Sequence, residues 1–86
     1  MDTFERLQQL LHKDFDIPVE KLSRDALLED LEIDSLRMIE ILFSIEETFG
    51  ISVPAEPAEI RTRVFTLGDL AGYIDELLAS KGEAPA

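Results

Sequence analysis

Cysteine and tryptophan are missing from this 86-residue chain, histidine occurs once, and only 8 lysines and arginines stand against 19 aspartates and glutamates. Without cysteine no disulfide or thiolate metal site can form, and the redox compartment cannot be read from the sequence. No apolar run nears the roughly 20 residues that span a bilayer. The opening MDTFERLQQL lacks the basic start and apolar stretch of a secretory signal. A cytoplasmic protein is therefore expected. The formal charge of −11 repels phosphate backbones and anionic membranes, which argues against nucleic-acid binding and membrane insertion. A chain this short supports one core and leaves little room for a deep enzyme cleft. One monomeric domain over residues 1–82 is expected, with 83–86 (EAPA) as a frayed, disordered tail.

What is present is helical periodicity. Hydrophobic residues make up 45% of the chain, and their spacing argues against disorder. Phe4, Leu7, Leu10 and Leu11 predict a first helix from about Thr3 to Asp14, capped by Asp2. The segment FDIPVEKLSRDALLEDLEID reads as a long connection, with Leu22, Leu27, Leu28 and Leu31 as inward anchors. A second helix is predicted from Ser35–Leu36 to Gly50, a residue suited to the left-handed position after a helix end. ISVPAEPAEIRTRVF holds two prolines and permits a short helical turn near Ala58–Arg61. Thr66 and Asp69 form an approximate capping box for a last helix closing at Lys81–Gly82, with Leu67, Leu70, Ala71, Ile74, Leu77 and Leu78 on its apolar face. The expected fold is all-α, a small four-helix bundle of three longer helices and one short one.

The second helix has two faces. At about 100° per residue, Met38, Ile39, Leu42, Ile45 and Phe49 point to the core. The other side collects Leu36, Glu40, Phe43, Ser44 and Glu47, with Arg37 at its edge. Acids crowd the surrounding sequence: Asp25, Glu29, Asp30, Glu32, Asp34, Glu46, Glu56 and Glu59 join Glu40 and Glu47, and Arg37 is the one base among them. Scattered exposed apolar residues are ordinary, and acidity also serves solubility. Yet an apolar pair ringed by one sign of charge has the form of a docking site for a basic partner.

Ser35, between Asp34 and Leu36 at the start of that helix, admits several readings. Its hydroxyl can cap a free backbone N–H for about 1 kcal/mol. A serine nucleophile needs a base and an orienting group, but the lone His12 sits at a polar position of the first helix and no Gly-x-Ser-x-Gly elbow is present. Hydrolysis is excluded on that ground, and no catalytic residue is expected. Asp30, Glu32 and Asp34 resemble the opening of a calcium loop. The sixth position is then Ser35 instead of glycine and the twelfth Ile41 instead of glutamate, so no metal site is expected beyond loose ion association. A further reading makes Ser35 a substrate, a hydroxyl presented on a helix N-terminus for another enzyme to modify.

The order of motifs bears on the last reading. FDIPVEKLSRDALLEDL, then DSL at Asp34–Leu36, then RMIEILFSIEETFGISVP and TLGDLAGYI together resemble the acyl carrier protein family, over roughly Phe4 to Leu78. The resemblance implies that Ser35 carries 4′-phosphopantetheine, installed from coenzyme A by a separate phosphopantetheinyl transferase. The thiol of that arm then holds acyl groups as thioesters, and the missing cysteines are no obstacle. It implies a carrier, not an enzyme, whose Asp34, Leu36, Arg37, Glu40, Phe43 and Glu47 meet acyl-transferring and condensing enzymes with basic patches. By the same analogy Leu27, Ile39, Ile45 and Val64 line an acyl-chain cavity, although each also serves as ordinary core. Three features depart from the family pattern. Glu32 stands where a small glycine is usual, Arg37 where carriers of fatty-acid synthesis commonly have an acid, and EIRTRVF, with Arg61 and Arg63, is longer than usual. These point to a specialised free-standing carrier for a polyketide-like, unusual-lipid or other secondary pathway. An aminoacyl or peptidyl carrier is the rival within the class, although EID before Ser35 resembles the acyl type better. An unmodified interaction module with Ser35 as a cap is the rival outside it.

Overall fold

The computed structural model describes residues 2–54 and 56–83. Among the described residues four α-helices and one short 3-10 turn follow one another: α1 (Thr3–Phe15), the turn Val19–Lys21, α2 (Ser35–Phe49), α3 (Pro57–Arg61) and α4 (Leu67–Glu83). Among the described residues there is no strand, only an isolated antiparallel bridge between Leu27 and Thr66. The all-α bundle expected from the spacing is what the chain forms.

Local chemistry sets the helix ends. The Asp2 carboxylate accepts the Glu5 N–H at 2.8 Å and starts α1, while Asp16, in the left-handed region at φ 57°, stops it one residue past the expected end. Gly50 takes the same conformation after α2, where only a residue without Cβ is unstrained. At α4 the capping box closes both ways: Thr66 Oγ1 accepts the Asp69 N–H at 3.0 Å, and Asp69 Oδ2 accepts the Thr66 N–H at 3.1 Å. Helix α4 continues to Glu83, beyond the predicted closure at Lys81–Gly82. Of the expected tail, residues 84–86 lie outside the described residues.

The core gathers Leu7 and Leu11 of α1, Met38, Ile41 and Ile45 of α2, Ile60 of α3, and Leu67, Leu70 and Ile74 of α4, all almost or fully enclosed. Two expectations fail here. Ile39 is not core but 37% exposed, and Ile41, assigned to neither face, is fully buried. At about 100° per residue the two flank the Met38–Phe49 stripe on opposite sides, and only the Ile41 flank is covered. Leu27, expected as an inward anchor, is 42% exposed.

Polar contacts stitch the elements together. Arg6 donates to the Thr48 carbonyl at 3.0 Å and lies 4.3 Å over the Phe49 ring, so α1 supplies a cation to the carbonyl-rich end of α2. Glu46 Oε2 accepts the Val53 N–H at 2.8 Å, tying the chain after α2 back to the helix. Thr3 donates to Asp75, joining the starts of α1 and the middle of α4. The long connection before α2 is pinned to the entry of α4 by three backbone bonds of 2.9 Å: Leu28 N–H to Phe65 O, Leu67 N–H to Ala26 O, and Gly68 N–H to Arg24 O.

Candidate functional site

The start of α2 is organised by Asp34, not by Ser35. Asp34 is extended, and its Oδ1 accepts the Arg37 N–H at 2.8 Å, so the aspartate is the N-cap. The capping role considered for Ser35 is overturned. Ser35 is the first residue of the helix, its backbone already helical, and its side chain is relieved of any duty to the helix end. Both residues are exposed. A Ser35 hydroxyl in this position is open to a visiting enzyme.

Around that hydroxyl the surface is cationic on one side and apolar on another. Arg61 Nη1, at the last residue of α3, donates to Ser35 Oγ at 2.9 Å. The same arginine helps line a pocket of about 230 Å3 with Leu27, Leu28, Glu29, Ile33, Val64 and Phe65. Leu27 and Val64 share this pocket. Ile45 is enclosed in the core and Ile39 faces outward, and neither lines this pocket. Sequence reasoning missed Phe65, 57% exposed at the pocket edge. It noted Arg61 only as a departure from the family pattern. The available signal was the first base after a long acidic stretch, on the short helix that follows α2.

The outward face of α2 is as the helical wheel predicts. Leu36 and Phe43 are 67% and 65% exposed, and Asp34, Glu40 and Glu47 stand exposed near them along the helix. Arg37 leans away, its guanidinium 5.7 Å from the Phe15 ring centroid. Glu46 differs from the other acids because its carboxylate is committed to Val53. Among the described residues the one ion pair is Arg24–Asp2, at 3.9 Å on the surface. The carboxylates of Glu40 and Glu47 form no ion pair among the described residues, so their field extends outward.

His12 is engaged elsewhere. Its Nδ1–H donates to the Ile17 carbonyl at 2.9 Å, closing the end of α1. Among the described residues no three His, Asp or Glu side chains gather to hold a metal ion, and no helix is long and apolar enough to cross a membrane. At the start of α4 the N–H groups of Phe65 and Thr66 hold Asp69 below the usual carboxylate range.

A family model described as a phosphopantetheine attachment site matches residues 5–74, which run from the first turn of α1 through α2 and α3 into α4. The chain belongs to that family. Its members bear a covalently attached 4′-phosphopantetheine, act as carriers and not enzymes, and meet modifying transferases and other enzymes. The α2 start of this carrier fits the charge and access that such a group requires. The amides of Ser35 and Leu36, in the first turn, have no acceptor within the helix. With the helix dipole and the Arg61 guanidinium they favour an anionic linker at that point.

Proposed function

We propose that this carrier holds acyl groups as thioesters on a 4′-phosphopantetheine arm attached to Ser35, and passes them between enzymes of lipid or polyketide-type synthesis. The observation that carries the reading is the division of labour at the α2 start: Asp34 caps, and Ser35 presents an exposed hydroxyl whose oxygen accepts from the Arg61 guanidinium. When bound, the arm supplies the terminal thiol on which acyl groups ride. On modification Ser35 Oγ gives up its proton, displaces adenosine 3′,5′-bisphosphate from the pyrophosphate of coenzyme A and becomes the ester oxygen of the arm. Asp34 keeps the first turn wound so that this oxygen stays proud of the surface. Leu36, Glu40, Phe43 and Glu47 offer an apolar centre with an acidic rim to cytoplasmic enzymes whose own entrances are basic, with Asp34 and Arg37 at its edges. Such contacts release quickly and weaken with salt, which suits a shuttle. Leu27 and Val64 line the pocket that Arg61 also lines, where the start of an acyl chain finds cover. Glu32 and the Arg61-bearing α3 support a specialised pathway over housekeeping fatty-acid synthesis.

The test is intact-protein mass spectrometry after incubation with coenzyme A and a promiscuous phosphopantetheinyl transferase. Wild type gains the phosphopantetheine mass and Ser35→Ala does not. Wild type left unmodified beside a control carrier that is modified refutes the assignment. The mass of the native thioester distinguishes an acyl from an aminoacyl cargo.

A further inference from the structure

We infer that Arg61 is a positioning residue for the arm: its guanidinium binds the phosphodiester formed on Ser35 and lays the following segment toward the pocket edged by Leu27, Val64 and Phe65. The inference rests on Ser35 being the attachment point. In the unmodified chain Arg61 Nη1 donates to Ser35 Oγ at 2.9 Å, so the cation already touches the atom that would become the ester oxygen. Arg61 has no carboxylate partner within 4.0 Å among the described residues, although the chain carries 19 acids. A neutral hydroxyl satisfies one of its five donors. A phosphodiester places two non-bridging oxygens that share one negative charge next to that same oxygen, a bidentate target that arginine favours over lysine.

The support under Arg61 is firm. It closes α3 one residue after the enclosed Ile60, and the chain turns back at once through the Val64 N–H to Ile60 O bond of 2.8 Å. Thr62 Oγ1 donates to the Glu59 carbonyl at 2.6 Å and fixes the same turn. Because Arg61 also lines the pocket, an anion held on its guanidinium sits at the pocket mouth. The cargo end of the arm then starts from a fixed direction instead of sweeping freely over α2. Arg63, two residues on, lines a different hollow, with Tyr73 and Glu76. It supplies a control of equal charge.

The experiment is 31P NMR on the full-length loaded protein, with mass spectrometry confirming loading of wild type, Arg61→Gln, Arg61→Lys and Arg63→Gln. The phosphodiester resonance of Arg61→Gln is expected to move from the wild-type position by more than a linewidth and to narrow as the arm is freed. Arg61→Lys falls between, and Arg63→Gln stays with wild type. A second measurement uses wild type alone: the Arg61 guanidinium protons exchange with water more slowly in the loaded form than in the unloaded one. Loaded proteins with coincident 31P signals, a shift as large in Arg63→Gln, or equal exchange in the two forms overturns the role of Arg61 and leaves Ser35 untouched. Failure of wild type to load overturns both. Arg61 is exposed, so circular dichroism of the variants is expected to match wild type.

Discussion

Glu32 offers a direct test of how the chain enters α2. Its φ of 59° is left-handed, a conformation that sets an L-residue's Cβ against the backbone at a cost of about 1–2 kcal/mol. Its N–H bonds to the Glu29 carbonyl at 3.1 Å, a bond that any residue can keep, and its side chain is exposed. Glu32→Gly removes the strain but loosens the unfolded chain, which returns about 0.4–1 kcal/mol of the gain. The net expectation is a stabilisation of about 0.5–1 kcal/mol. For a domain of this size that raises Tm by about 2–8 °C. Glu32→Ala is the control: it removes the same negative charge from a chain of net −11 but retains Cβ, so it captures only the relief of repulsion. Urea melts with unchanged m-values separate native-state strain from altered denatured-state compactness. If alanine stabilises as much as glycine, or glycine lowers Tm, the strain argument is wrong.

Three further outcomes are expected. A Cβ built on Gly68 meets the Arg24 carbonyl oxygen at 3.0 Å, whereas one on Gly72 meets nothing within 4 Å. Urea melts should show Gly68→Ala losing about 1–3 kcal/mol and Gly72→Ala gaining about 0.5–1 kcal/mol from helix propensity. Because the folded state depresses the Asp69 pKa, its contribution is complete above the ordinary carboxylate range and is lost as pH falls through the lower folded value. Melting curves of wild type and Asp69→Asn should therefore converge in acid, and NMR titration of the carboxyl should place its midpoint below that of an exposed aspartate. On the docking face, Phe43→Ala and Glu40→Lys are each expected to lower transferase kcat/KM about fivefold, corresponding to about 1 kcal/mol per anchor, with circular dichroism unchanged. Rates equal to wild type in both variants remove the docking face.

The three long helices were legible because their signals are local. Asp2, Gly50 and the Thr66–Asp69 pair each act within a turn, and they act in the structure as they read on paper. The apparent cap at Ser35 misled by one position: Asp34 and Ser35 are both good N-caps, and only the extended backbone of Asp34 decides between them. Ile39 and Ile41 lie on opposite shoulders of one stripe, so periodicity alone does not say which shoulder a neighbour covers. The Arg61–Ser35 contact spans 26 positions, and the pocket beside it draws on the connection before α2 as well as on the α3–α4 turn. Neither leaves a mark in any short window of sequence. The exposed pair Leu36 and Phe43 was readable because exposure on a lone helical face is set by period.

The seam between Arg24–Leu28 and Phe65–Gly68 joins the connection before α2 to the entry of α4. Ile33, buried just ahead of Asp34, hangs from the near side of that seam, through its N–H bond to the Leu28 carbonyl at 3.2 Å. The serine's footing is consequently carried by loop backbone on one side and by helix on the other. Fraying at the α3–α4 elbow would tilt the platform itself, while the helices beneath it stayed wound.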